Sequence, residues 1–242
     1  DSKNESVSEL LKKIKSEKAK QDKNNKEKSY ILVSEDEKLY DLPISWEWVR
    51  LGEISEYIQR GKSPEYSESS KFPVISQKCV QWAGFDIGRI RFIAEKSLDK
   101  YEEVRMLQDQ DLLWNSTGEG TVGRVCLYYQ KLNPLNKGVV DSHVTIVRLF
   151  KKLVLPKYAL LWLSSKFVQE NLKVSGSTKQ KELSTTTIRN QIFPLPPLAE
   201  QKSITEKVDS LMMLCKELEE KLKENQMVTE KLMEAVLEKS FQ

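Results

Sequence analysis

The sequence predicts an α+β fold: a mixed, strand-rich domain with peripheral helices, followed by long helices of the antiparallel coiled-coil type. Short runs of β-branched and aromatic residues bounded by glycine or proline recur through residues 42–197, and such runs are typical of strands. Residues 198–242 lack glycine and proline and carry apolar residues at alternating steps of four and three, which is typical of a coiled coil. We therefore divide the chain into residues 1–41, 42–197 and 198–242.

The last segment is predicted to form a long helix that begins near Pro196 and packs against a partner helix. Pro196 and Pro197 suit only the first turn of a helix, where Glu200 favours the positive end of the helix dipole. About 40 helical residues span roughly 60 Å, so this helix cannot cover its own apolar seam and needs a partner helix. The alternative is a surface helix packed on its own domain. The seam comprises Ile204, Val208, Leu211, Cys215, Leu218, Leu222, the polar Asn225 and Thr229, Leu232 and Val236.

Composition limits the classes of protein that are possible. The 242 residues carry a net charge of only +3, so a nucleic-acid site would have to come from local clustering of cations. The cysteines, Cys79, Cys126 and Cys215, are odd in number and not closely paired, which predicts reduced thiols in a cytoplasmic protein. We find no signal peptide and no apolar run near the ~20 residues of a membrane span.

The first segment predicts a weakly amphipathic helix over about residues 5–27, followed by a polar linker. Its one apolar patch contains Leu10, Leu11 and Ile14. Two interpretations stay open. The helix is frayed and solvated, or its patch docks onto the long C-terminal helix of this chain or of another.

The central segment alternates predicted strands with turns. Trp46 and Trp48 predict an extended strand that anchors the core where the domain begins, and residues 72–77 and 139–149 predict further strands. Pro156 begins a predicted helix that ends at Gly176. A hydroxyl-rich loop follows, to residue 189.

Gly118, Gly120 and Gly123 match the G-x-G-x-x-G fingerprint of dinucleotide-binding folds. In those folds the glycines open a helix that receives the pyrophosphate. Here a segment of β-like composition follows the glycines. The sequence therefore predicts a tight hairpin, with residues 115–117 and Arg124 near its rim, and no nucleotide site.

His143 is the only histidine, and it falls in a predicted strand. A single strand histidine is more often a hydrogen-bonded structural residue than a catalyst. No HExxH, CxxC or paired-histidine spacing offers a metal site, and no Ser–His–Asp set is compelling. We therefore expect no catalytic residue, no metal and no cofactor.

Candidate nucleic-acid contacts are eight cations and one amide, and those at predicted turns are favoured because a turn can enter a groove without disrupting a sheet. Three of them lie in the hydroxyl-rich loop, where lysine and hydroxyl groups suit phosphate and glutamine suits an adenine edge. A solvated loop without a ligand is the alternative there. The candidates are Arg60, Lys62, Lys78, Arg89, Arg91, Arg124, Lys179, Gln180 and Lys181.

Six runs of residues, in this order along the chain, resemble the specificity subunit of type I restriction–modification systems. The first is similar to the family's lead-in to a recognition domain, and the resemblance then covers the chain from about residue 42 to its end. The runs are SELLKKIKSEK at 8–18, LPISWEWVRLGEI at 42–54, GEGTVGR at 118–124, DSHV at 141–144, GSTKQKELS at 176–184 and FPLPPLAEQKSI at 193–204.

The resemblance implies a non-catalytic DNA-binding subunit. In this family a target recognition domain reads one half of a bipartite site in double-stranded DNA, and a long conserved-region helix docks the methyltransferase subunits. The restriction subunit is a further candidate partner. The usual subunit has two such domains and two such helices, so this chain, with one of each, would be a half-length form that forms a homodimer, or a fragment. The alternative is a coiled-coil interaction scaffold without sequence-specific DNA binding.

Overall fold

The computed structural model describes residues 6–21, 31–68, 70–135, 137–176 and 181–241. The chain divides into two compact units, Asp1–Gln201 and Lys202–Gln242. Strands and short helices make up most of the first unit, and the second is a single helix. The α+β class predicted from the sequence is confirmed.

Five helices and eleven strands lie within the described residues. The helices are α1 (Val7–Gln21), α2 (Pro156–Leu163), α3 (Lys166–Glu170), α4 (Thr185–Asn190) and α5 (Leu198–Ser240). The strands are β1 (Glu47–Arg50), β2 (Ser55–Arg60), β3 (Pro73–Ile75), β4 (Val80–Gln81), β5 (Gly84–Phe85), β6 (Arg91–Phe92), β7 (Leu112–Asn115), β8 (Val125–Leu127), β9 (Val139–Val140), β10 (Val144–Leu149) and β11 (Ile192–Leu195).

The first unit is built around a four-stranded antiparallel sheet in the order β2-β10-β7-β8. A second sheet, in the order β6-β3-β9, pairs β3 with β9 in parallel and with β6 antiparallel. Strands β4 and β5 form a small hairpin of their own. Every residue of β10 is buried, as expected for a central strand whose two faces are both covered.

The two ends of the strand-rich segment are held together by β1 and β11, which pair antiparallel with Val49 opposite Phe193. The Arg50 guanidinium, almost fully buried, donates from Nε to the Ile31 carbonyl (3.0 Å) and from Nη1 to the Asn190 carbonyl (3.0 Å). It also forms an ion pair with Glu37 at 2.6 Å. These bonds fix the linker, β1 and the end of α4 in one arrangement.

A buried ion pair joins the two middle strands of the four-stranded sheet region. Arg148 in β10 donates from Nε and Nη2 to the two carboxylate oxygens of Asp111, at 2.9 and 2.8 Å. The Asp111 side chain is fully buried and that of Arg148 is 4% exposed. Arg148 also donates to the Met106 carbonyl at 2.8 Å, so most of its donors are satisfied in a place where an unpaired charge would be costly.

The apolar patch of α1 is buried, which excludes the frayed, solvated interpretation. Leu10 and Ile14 are each 1% exposed, and Leu11 is half-buried. Lys18 donates to the Gly52 carbonyl at 2.6 Å, a contact within the first unit. Docking of this patch onto a long helix stays a prediction.

Three local expectations were only partly right. The helix beginning at Pro156 stops at Leu163, because Ser165 caps a new helix by accepting a hydrogen bond from the Val168 N–H at 3.3 Å. Part of the presumed hydroxyl-rich loop is helix α4, capped by Ser184 in the same way. Trp46 precedes β1 and is only half-buried, so the core at the start of the domain is formed by Val49 and Leu51 instead.

Helix α5 begins directly after Pro197, as the prolines predict, with Glu200 in its first turn. Its 43 residues span about 65 Å. The seam is exposed beyond Val208: Leu211 is 48% exposed, Leu218 51% and Leu222 63%. No helix in the described part of the chain combines the length and the apolar character needed to cross a membrane.

Two Arg–Asp ion pairs that differ in burial make a matched stability test. We expect Arg148→Met to lower the free energy of unfolding by about 3–5 kcal/mol, because it removes the bidentate partner of the buried Asp111 and leaves only Lys151, at 4.0 Å. Arg89→Met breaks the exposed Arg89–Asp86 pair (2.6 Å) and should cost no more than about 1 kcal/mol. Urea unfolding monitored by circular dichroism measures both, and equal losses would contradict this assignment.

Candidate nucleic-acid interface

Five polar segments of the first unit are joined to one another around the turn between β7 and β8. We call them the polar rim. Four of them follow, precede or include a strand, and the fifth, residues 181–182, precedes helix α4, so the fold holds the ends of these segments while part of each reaches solvent. The polar rim consists of residues 60–62, 77–81, 116–124, 141–143 and 181–182.

Glycines shape the central turn of the rim. Gly118, Gly120 and Gly123 have φ of 107°, 68° and 91°, which is a backbone region that favours glycine. The turn connects two antiparallel strands and does not open a helix. The predicted strand–turn–strand context is therefore observed, and these residues do not form the helix N-terminus on which a pyrophosphate would rest in a dinucleotide-binding fold.

One side of the turn is tied to the segment at 77–81. Asn115 donates from Nδ2 to the Gln77 carbonyl at 3.0 Å, and the Thr121 hydroxyl donates to Gln77 Oε1 at 3.3 Å. Arg124 donates to Gln81 Oε1 at 2.8 Å and to the Gly120 carbonyl at 3.0 Å. These bonds fix the glycine turn against a second loop.

The other side of the turn is tied to the segments at 141–143 and 181–182. Thr117 Oγ1 lies 2.6 Å from His143 Nδ1, and the Ser116 carbonyl accepts the Leu183 N–H at 2.8 Å. Arg60 donates to the Ser142 carbonyl and forms an ion pair with Glu182. The Arg60 guanidinium therefore holds three parts of the rim in place.

Asp141 is a buried carboxylate within the rim. It accepts the His143 N–H at 2.9 Å and the Tyr66 hydroxyl at 3.2 Å. Burial raises the pKa of Asp141, although these donors and Arg91 oppose the shift. Its bond to His143 is to the backbone, and the His143 ring faces Thr117 instead, so these residues do not form a catalytic triad.

The buried cysteines do not offer a nucleophile. Burial raises the pKa of Cys79, and that of Cys126 to about 12, so both thiols stay protonated near neutral pH. Cys215 is exposed on α5.

The structure brings five of the nine candidate contacts into the rim. Lys78 and Lys181 are exposed and Lys62 is half-buried, whereas Arg60 and Arg124 are engaged in the bonds given above. Two more are exposed beside it: Arg91 lies with its guanidinium 3.3 Å from the centroid of the Tyr66 ring, and Arg89 pairs with Asp86. Lys179 and Gln180 lie outside the described residues.

Sequence reasoning missed the polar residues that join the rim together. Gln77, Asp141 and Glu182 each contact two or more rim segments or their supports. Asp141 could have been found, because it stands directly before Ser142 and His143 in one of the runs that carry the resemblance. Nothing in the sequence around Gln77 distinguishes it from a solvated glutamine.

Two glycines of the turn make a matched pair of variants. A Cβ at Gly118 would lie 2.2 Å from Gln77 Oε1 and 2.3 Å from Thr121 Oγ1, whereas at Gly120 nothing lies within 4 Å. Both have positive φ, so Gly120→Ala should cost only the backbone strain of about 1–2 kcal/mol. We expect Gly118→Ala to cost at least about 1 kcal/mol more in unfolding free energy, measured by urea titration. An equal cost would show that the Gln77 contact does not support the turn.

The type I restriction modification DNA specificity domain family matches this chain over residues 43–226. The type I restriction enzyme EcoEI specificity subunit of Escherichia coli is 28% identical over 240 residues, which cover 93% of this chain and 39% of the relative. The EcoAI specificity subunit of Escherichia coli is 25% identical over 223 residues, covering 90% and 37%. The chain thus spans about two fifths of the length of these curated relatives.

Solved structures share the fold. A chain from a structure on complex assembly and conformational transition of the type I R-M system has a TM-score of 0.62 and 20% identity, covering 98% of this chain and 56% of that one. The HsdS subunit from Thermoanaerobacter tengcongensis has a TM-score of 0.60 and 22% identity, covering 81% and 49%. Because the family match includes most of its residues, this chain belongs to the type I restriction modification DNA specificity domain family.

Proposed function

We propose that this chain is a sequence-specific DNA-recognition subunit of a type I restriction–modification complex. In this role it reads one half of a bipartite target and docks the methyltransferase subunits through its long helix. The observation that carries the proposal is the polar rim, a surface of linked loops with free cations on a chain that belongs to the specificity family.

The charge distribution of the rim supports DNA as the ligand. The whole chain carries only +3, yet Lys62, Lys78 and Lys181 lie on one set of linked loops. None of the three forms an ion pair with another described residue. Lysines of this kind contact phosphate and set the register of a protein on a duplex, whereas neighbouring side chains read base edges. Loops held by buried strands supply both kinds of group at a fixed spacing.

Helix α5 supports the second part of the proposal, which is that the chain sets the spacing between two half-sites. A rigid helix of about 65 Å is long enough to hold two recognition domains several base pairs apart. If α5 pairs with the same helix of a second copy, the two domains are related by two-fold symmetry and read an inverted repeat. The polar seam residues Asn225 and Thr229 favour a single register for such a pair. A half-length subunit would therefore act as a homodimer.

In this account the chain itself catalyses nothing and holds no cofactor or metal. Methyl transfer to DNA, and any cleavage, would belong to the methyltransferase and restriction subunits that assemble on it in the cytoplasm. The chain contributes the choice of sequence and the spacing between half-sites. A second candidate function is a coiled-coil interaction scaffold without sequence-specific DNA binding, which the exposed α5 seam also favours.

The salt dependence of duplex binding tests the DNA-binding proposal against the scaffold. We expect the double variant Lys78→Ala/Lys181→Ala to bind duplex DNA more weakly and to reduce the slope of log affinity against log salt by about 2, because each phosphate contact contributes about 0.9. Lys20→Ala/Lys38→Ala removes two exposed lysines of α1 and the linker, each paired with a neighbouring glutamate, and should leave the slope unchanged. Fluorescence anisotropy at several salt concentrations measures both, and equal slopes for the two variants would count against the rim.

The seam prediction compares two apolar residues on the same helix. Leu218→Asp places a charge in the seam, so we expect it to abolish self-association, since a buried unpaired charge is costly. Met213 is also exposed, at 66%, but lies off the seam, and Met213→Asp should leave the oligomer intact. Light scattering gives the solution mass of each. An unaltered mass for Leu218→Asp would place the partner surface elsewhere.

A further inference from the structure

One tryptophan lies at the tip of a small hairpin that adjoins the polar rim. Strands β4 and β5 pair with Val80 opposite Phe85 and Gln81 opposite Gly84, which leaves residues 82–83 as a two-residue tip. Gly84 has φ of 124°, a conformation that suits glycine directly after the tip. Trp82 occupies this tip.

The base of the hairpin is rigid. Val80 is fully buried, and the Phe85 ring packs edge-on against Tyr128, with 5.3 Å between their centroids. The Asp86 N–H donates to the Cys79 carbonyl at 2.8 Å, which closes the hairpin below the strands. The position of the tip is therefore set by the core.

Trp82 differs from the other four tryptophans in its surroundings. Trp114 is fully buried, and its indole N–H donates to the Gly123 carbonyl at 2.9 Å. Trp46, Trp48 and Trp162 are half-buried, and each donates its indole N–H to an oxygen. Trp82 is 54% exposed, and its indole N–H has no hydrogen-bond partner in the part of the chain that the structure describes.

The hairpin is joined to the cations of the rim. Arg124 donates to Gln81 Oε1 at 2.8 Å, and Gln81 Nε2 donates to the Lys78 carbonyl at 2.7 Å. The strand residue next to the tip is therefore hydrogen-bonded both to the segment that carries Lys78 and to Arg124 at the end of the glycine turn. An exposed aromatic ring among cations, on loops that the proposed function places against DNA, has the composition of a surface that contacts bases as well as phosphates.

We propose that Trp82 contacts nucleobases, with the β4–β5 hairpin entering the major groove of the target. A two-stranded ribbon fits that groove. At its end a flat apolar ring can stack on a base that has left the stack or pack on a thymine methyl group in the major groove. This inference rests on the proposed DNA-binding function and assigns to Trp82 a part in sequence preference.

The test uses the full chain with its cognate methyltransferase subunit and a duplex selected from a random pool by the wild-type protein. Trp82→Ala should weaken binding roughly 5-fold to 100-fold, the range found for loss of one aromatic–base contact. The salt slope should not change, because no charge is removed. Trp82→Phe should recover much of the affinity. Ile44→Ala, at a fully exposed residue before β1, should bind like the wild type.

Two substituted duplexes identify the contact. If Trp82 stacks at a step, 2-aminopurine placed there brightens on binding by the wild type but not by Trp82→Ala. If it packs on a thymine methyl group, replacing that thymine by uracil weakens duplex binding by the wild type but not by Trp82→Ala. Either response supports the proposal.

Three results would overturn the proposal for Trp82. Trp82→Ala could bind the duplex with wild-type affinity, it could lose affinity while neither substituted duplex gives its expected response, or it could lose only the binding of the methyltransferase subunit. Absence of DNA binding by the wild-type complex would refute the proposed function itself. The two failures are therefore distinguishable.

Discussion

The fold depends on the buried guanidinium of Arg50, which joins three segments far apart in the chain. It contacts the linker at Ile31 and Glu37 and the end of α4 at Asn190. Its hydrogen bonds lower the pKa of Glu37 to about 2, so the ion pair persists at any ordinary pH. With these segments fixed, β11 pairs with β1 and the long helix begins beside the strand where the domain starts.

The core also fixes the polar rim, because most of the rim's loops begin or end at buried strands. Arg60 shows why a cation on a binding surface need not be a ligand contact. Its guanidinium is occupied by Glu182 and the Ser142 carbonyl, so we propose that Arg60 positions the rim and that Lys62, Lys78 and Lys181 contact phosphate. In our proposal, part of the sequence preference would then come from Trp82, whose position is set by the packing at the base of its hairpin.

Local chemistry made some features predictable. Pro196 and Pro197 fix the start of α5, and the β-like residues after Gly123 show that the glycines belong to a hairpin. The break between α2 and α3 at Ser164 and the start of the short helix α4 depend on the capping hydroxyls of Ser165 and Ser184. In the sequence, these serines look the same as serines of a solvated loop. The tie between Gln77 and the glycine turn spans 38 or more residues, and such a contact leaves no periodic signal in the sequence.

The central claim is that this chain selects a DNA sequence and that its helices set the distance between two half-sites. The most direct measurement is selection of bound duplexes from a random pool at low salt, with and without a methyltransferase subunit. The account predicts recovery of a split inverted repeat with a constant gap, because two copies related by a two-fold axis present two identical rims. No enrichment of any sequence, even with the methyltransferase present, would contradict it.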